Sequence, residues 1–142
     1  MSDSHAPVLP LTGGCLCGGV RFEVDALLVR AGYCHCTRCQ RRSGSAASAQ
    51  GRIAPGSLRI VAGASLLRTF APPDGWPKTF CSGCGSALWS EAPDDPETKS
   101  IRLGAFDGDP GIRPSYRIFV DYAAPWEPIP ADGLERFREG GG

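Results

Sequence analysis

The sequence has no excess of charge: fifteen Lys and Arg stand against fifteen Asp and Glu in 142 residues. No global field therefore draws the chain to nucleic acid or to an anionic membrane surface. Nor is there an apolar run near the ~20 residues that a membrane-spanning helix requires. The N-terminal MSDSHAPVLPLTGG lacks the basic flank and the apolar core of a secretory signal. The expectation is a cytoplasmic protein with no nucleic-acid or membrane partner. Long helices are also disfavoured, because nineteen Gly and thirteen Pro punctuate the chain and suit short strands joined by turns. The length fits one domain with a core of its own.

What the chain does have is cysteine. Seven are present, an odd number, and a reducing compartment does not sustain a disulfide framework. They fall into three knots: Cys15-x-Cys17, Cys34-x-Cys36-x2-Cys39 and Cys81-x2-Cys84. Buried inert thiols have no reason to cluster in this way, whereas thiolates at such spacings suit zinc. Cys15 and Cys17 with Cys81 and Cys84 make two knuckles of one closed four-sulfur site, which would clip the start of the domain to a late hairpin.

Cys34, Cys36 and Cys39 are then left as three ligands of a second zinc with one open position. His35 lies between two cysteines that must face the metal, so its ring is expected behind the site in packing or hydrogen bonding. His5 is placed in a loose lead-in, as a bystander. Zinc on three thiolates is a weak Lewis acid, better suited to holding a soft thiolate than to making hydroxide. Arg38, Arg41 and Arg42 follow at once and are candidates to receive the carboxylates of a small anionic thiol.

The strand candidates are 18–24, 45–50, 57–61, 66–70, 78–80 with 87–89, 100–106 and 116–120. A helical turn is expected over 132–137. Residues 1–11 are expected as a flexible lead-in, 12–137 as a single domain and 138–142 as a frayed tail. Trp76, Trp89, Trp126, Phe70, Phe106 and Phe119 could line a pocket, and most are expected as core. The acidic run 91–97 lacks the ligand spacing of a calcium loop and is expected as a solvated loop.

The three ordered motifs resemble the family of glutathione-dependent formaldehyde-activating enzymes, which also includes centromere protein V. They are Gly13-Gly14-Cys15-Leu16-Cys17-Gly18, Cys34-His35-Cys36-Thr37-Arg38-Cys39 with Arg41-Arg42-Ser43-Gly44, and Phe80-Cys81-Ser82-Gly83-Cys84-Gly85. Leu103-Gly104-Ala105-Phe106-Asp107 and Ala124-Pro125-Trp126 are similar to the family's tail. The resemblance implies an all-β, tent-like zinc fold of short antiparallel strands. It implies a structural zinc on Cys15, Cys17, Cys81 and Cys84, and an active-site zinc on Cys34, Cys36 and Cys39. The activity implied is a carbon–sulfur lyase reaction run toward S-hydroxymethylglutathione from glutathione and formaldehyde. Two positions depart from the family: Arg117 stands where a histidine is frequent, and Gln40 where a basic residue is frequent. A zinc-stabilised binding module and a thiol redox sensor are the alternatives. The sequence does not fix an oligomeric state.

Overall fold

The computed structural model describes residues 7–140. Eleven strands, one short helix and three single 3₁₀ turns occur among them. Strands β1 (Leu11–Gly14), β2 (Arg21–Val24) and β5 (Leu58–Ala62) form a three-stranded antiparallel sheet in the order β1-β2-β5. The larger sheet contains β3 (Arg30–Cys34), β4 (Ser48–Arg52), β6 (Leu67–Phe70), β7 (Lys78–Cys81), β8 (Ala87–Ala92), β9 (Asp95–Arg102), β10 (Tyr116–Ile118) and β11 (Glu135–Arg136). Its order is β11-β10-β3-β4-β9-β8-β7-β6. The fold is mostly β, as expected, but not wholly antiparallel: β10 runs parallel to both β3 and β11.

The small sheet covers one face of the large one. Phe22 is the peg between them, 1% exposed. Its ring meets Trp89 edge-on at 6.1 Å and Phe106 at 5.7 Å between centroids. Val20, Val24, Ile53, Leu88 and Ile101 fill the space around it. Period-two alternation puts Gly51, Ile101, Trp89 and Thr79 in one row of cross-strand partners. Their neighbours Arg52, Ser100, Ser90 and Lys78 form the next row, on the opposite face.

The structure corrects several sequence expectations. Asp132–Phe137 is not a helical turn; a carboxylate oxygen of Asp132 accepts the Leu134 N–H at 3.1 Å, and Glu135–Arg136 then pairs with β10. The strand expected from Ser45 begins at Ser48, because residues 37–43 form an unexpected helix, α1 (Thr37–Ser43), closed by Gly44 in the left-handed region at φ 65°. The strand expected over 100–106 ends at Arg102 and passes into a 3₁₀ turn. The run 91–97 is a strand hairpin, with Ala92 opposite Asp95. Leu11, expected in the lead-in, is 5% exposed and opens β1. In the expected tail, the carbonyls of Arg138 and Glu139 accept hydrogen bonds from Asp121 and Phe119. Phe70 and Trp126 are exposed, whereas Trp89 and Phe106 are core. His5 lies outside the described residues.

Removing the peg tests this packing. Phe22→Ala is expected to destabilise the domain by about 3–5 kcal/mol in urea unfolding; a loss below about 1 kcal/mol would contradict the two-sheet core.

Candidate metal centres and the cavity beside them

The four sulfurs of Cys15, Cys17, Cys81 and Cys84 come together from the loop after β1 and the turn between β7 and β8, all within 4.8 Å of one another. Cys15 and Cys17 Sγ are 3.5 Å apart, and Cys17 and Cys81 Sγ are 3.9 Å apart. A tetrahedral ion with bonds of about 2.3 Å to sulfur sets edges of about 3.8 Å, with which these two separations are compatible. None of the seven cysteines is in a disulfide. The Val20 N–H donates to Cys15 Sγ at 3.2 Å and the Gly83 N–H to Cys81 Sγ at 3.3 Å, contacts that stabilise thiolate sulfur. Leu16 N–H donates to Ser86 Oγ at 3.0 Å, joining the two knuckles directly.

Cys34, Cys36 and Cys39 form the second group, all buried, with sulfurs again within 4.8 Å. Cys34 ends β3, Cys36 is the N-cap of α1, and Cys39 lies in the first turn. That first turn is what brings 36 and 39 to one side, and the Cys39 N–H donates to Cys36 Sγ at 3.3 Å. Hydrogen bonds from Cys34 and Cys39 hold the Cys36 thiol far below its ordinary range, and Cys36 pushes Cys34 far up in return. Ile118 and Phe119 pack against the cluster. Phe119 occupies the left-handed region at φ 57°, a costly conformation for a residue with a side chain. Each cysteine group could hold a metal ion, and the all-sulfur donor sets are compatible with zinc.

His35 lies behind the second group, 4% exposed. Arg117 donates from Nη1 to His35 Nε2 at 3.1 Å and from Nη2 to Asp132 Oδ2 at 2.7 Å. Its guanidinium lies 4.4 Å from the Tyr33 ring centroid. Burial, then the charges of Arg117 and Arg136, lower the His35 pKa. His35 is thus a neutral acceptor, and Arg117 fixes its tautomer with the proton on Nδ1. Gln40, the other departure, donates to the carbonyls of His35 and Tyr122, each at 2.8 Å.

The three cysteines open onto a cavity of about 500 Å³. Arg30, Arg38, Arg52 and Lys78 line it, with Asp74 as the carboxylate among the lining residues. Lys78 is 7% exposed; burial draws its pKa down, opposed by the charges of Cys39 and Cys36. Arg102, on the same face of β9 as Ser100, donates to two lining residues, Gln50 Oε1 at 2.9 Å and Ser90 Oγ at 3.0 Å.

Of the three arginines singled out in the sequence, only Arg38 reaches this cavity. Arg42 stacks 5.1 Å from the Phe80 ring centroid and lines a separate cavity beside Cys15, while Arg41 is exposed. Arg30, Arg52 and Lys78 went unseen because they sit on other strands, with no local spacing to mark them, whereas Trp76 and Phe119, named among the aromatics, do line the cavity.

The different placement of the two cysteine groups predicts separable structural roles. Cys81→Ser, at a fully buried position, is expected to lose one metal per chain and to lower the thermal midpoint by roughly 10 °C or more. Cys36→Ser is expected to lose one metal with a shift of only a few degrees. Equal shifts in calorimetry, with metal counted by atomic emission, would contradict this division.

Comparison with known proteins agrees with the geometry. A curated protein of Halomonas elongata, provisionally named a glutathione-dependent formaldehyde-activating enzyme, is 32% identical over 105 residues, covering 70% of this chain and 67% of its own. A crystal structure of a Rhodobacter sphaeroides protein matches the fold with a TM-score of 0.58 at 22% identity, over 89% of this chain and 99% of that one. The family model described as glutathione-dependent formaldehyde-activating enzyme matches residues 10–122. The motifs around all seven cysteines lie inside that span, and the chain belongs to the glutathione-dependent formaldehyde-activating enzyme family.

Proposed function

We propose that the protein is a zinc-dependent carbon–sulfur lyase-type enzyme that joins a small thiol such as glutathione to an aldehyde such as formaldehyde. The product of that pair is S-hydroxymethylglutathione. The carrying observation is that three buried cysteines and four cations converge on one cavity of about 500 Å³. A bare cysteine cluster would serve as a clip; one facing a cationic cavity is suited to an anionic thiol.

In this reading Cys15, Cys17, Cys81 and Cys84 hold a structural zinc, and Cys34, Cys36 and Cys39 hold a second with one open position. A zinc ion there would keep the incoming sulfur as a thiolate at neutral pH. The thiolate sulfur gives an electron pair to the aldehyde carbon, and a carbon–sulfur bond forms. The carbonyl π pair moves to oxygen, which takes up a proton. Thiol and aldehyde thus sum to the hydroxymethyl thioether with no other reactant. The chain's contribution is positioning and charge. The Lys78 ammonium, buried in the cavity wall among hydroxyls, is the donor suited to the developing alkoxide. Phe119 and Trp76 also line this cavity.

No helix among the described residues is long and apolar enough to cross a membrane, and we place the enzyme in the cytoplasm, where glutathione is abundant and reduced.

The test is the rate of S-hydroxymethylglutathione formation above the uncatalysed background, followed by NMR exchange spectroscopy. The zinc-loaded protein should accelerate it and Cys36→Ser should not, while circular dichroism shows an unchanged fold. Equal acceleration by Cys36→Ser would remove the three-cysteine cluster from the reaction. No acceleration by the parent protein would favour a binding module or a redox sensor.

A further inference from the structure

A second and larger cavity, of about 830 Å³, is bounded by the end of α1, the start of β4, the Cys15 knuckle and the turn after β9. Among the described residues its walls hold three arginines, Arg21, Arg42 and Arg102, against one carboxylate, Asp107. That carboxylate is already engaged, accepting from Thr12 Oγ1 at 2.6 Å and from Arg21 Nη1 at 3.0 Å. Arg42 and Arg102 are therefore left as two cations without an acid in the same wall.

Arg42 is the less explained of the two. A basic residue in the last turn suits the negative end of a helix, but the exposed Arg41 serves that end without burial. Arg42 is instead folded over the Phe80 ring, 5.1 Å from its centroid. Its Nε and Nη2 are buried without a hydrogen-bond partner, an arrangement that costs free energy, and Nη1 is left as the nitrogen open to a ligand. Burial, then the charge of Arg102, lowers the Arg42 pKa. Arg102 is better provided for: both its Nη atoms donate to neutral oxygens, and the charges of Cys39, Cys34 and Cys36 favour its cation. No acidic side chain does the same for Arg42. Ser48, 5% exposed in the same wall, has a hydroxyl that is likewise buried without a hydrogen-bond partner, although it favours the Cys39 thiolate.

The donors indicate the class of ligand. They reach the cavity from three separate elements, Arg42 from α1, Ser48 from β4 and Arg102 from β9. A planar carboxylate has two oxygens in one plane, whereas a phosphate group offers three in a pyramid to donors arriving from different directions. A phosphate group also carries nearly two negative charges at neutral pH, which matches two arginines better than one carboxylate does. The volume exceeds what a bare phosphate needs and lies within the range of small-molecule sites. We propose that this cavity is a second ligand site, separate from that of the three-cysteine cluster, which takes a small phosphomonoester with its phosphate at Arg42. The site goes beyond the thiol-handling function and does not depend on it.

Titration calorimetry on the zinc-loaded full chain, at constant ionic strength, tests it with three probes: glycerol 3-phosphate, inorganic phosphate and succinate. The parent protein should bind one glycerol 3-phosphate per chain, with inorganic phosphate weaker and succinate weaker by roughly tenfold or more. Arg42→Met, which keeps an apolar stem over Phe80, should weaken glycerol 3-phosphate by about tenfold or more. Arg52→Met, in the cavity of the three cysteines, should leave it unchanged. Parent protein that shows no saturable binding of glycerol 3-phosphate would overturn the site without reliance on any variant. Succinate bound as tightly as the ester would overturn the phosphate class, and inorganic phosphate bound as tightly would overturn the ester. Loss of binding in Arg52→Met but not in Arg42→Met would move the anion to the cysteine cavity and overturn the assignment.

Discussion

Along β9, Ile101 is fully buried against the small sheet while Ser100 and Arg102 face the other way. This period-two alternation across the large sheet is the constraint on which the rest depends. The apolar row holds Phe22 and with it the small sheet. The polar row, running Arg30, Arg52, Ser100, Ser90 and Lys78 across five neighbouring strands, is the cavity floor. A slip of one residue in β4 or β9 would turn arginines into the core, and the bulk of Trp89 and Ile101 against Phe22 opposes it. The same packing that stabilises the domain thus holds the cationic row in register.

The cysteines divide between these two tasks. Cys15 and Cys17 with Cys81 and Cys84 connect the end of β1 to the β7–β8 turn, at the border of the apolar core that Cys81 itself enters. Sulfurs at separations compatible with a tetrahedral ion, with amide N–H groups donating to two of them, suit a structural clip. Cys34, Cys36 and Cys39 instead sit where β3 meets α1, over the polar face. They are backed by the neutral His35 and by Arg117 and Asp132 behind it. A ring held as a neutral acceptor adds no charge of its own to the back of the site, where Arg117 is paired with Asp132.

Much of this was legible in the sequence because cysteine chemistry is local. Spacing separated a four-sulfur group from a three-sulfur group, and the structure assembles both. The position of His35 followed from its place between two cysteines. Other features were hidden for physical reasons. Helix α1 is only seven residues long and its cysteines masked a sequence of helix-tolerant residues ending at Gly44, which was itself a C-cap signal. The helical turn expected over 132–137 does not form, because Asp132 accepts from Leu134 N–H and from Arg117 instead. The basic cluster after Cys36 drew attention to Arg38, Arg41 and Arg42, of which the helix turns only Arg38 to the cavity. Arg30, Arg52 and Lys78 converge through strand pairing over long separations, and no local pattern encodes a register.

The central claim, that the three-cysteine cluster is an open centre for a thiol and not a second clip, is tested most directly by native mass spectrometry of freshly purified protein with and without glutathione. The account predicts two zinc ions per chain and a one-to-one glutathione adduct that disappears when the more labile zinc is removed. One zinc per chain and no adduct would contradict it.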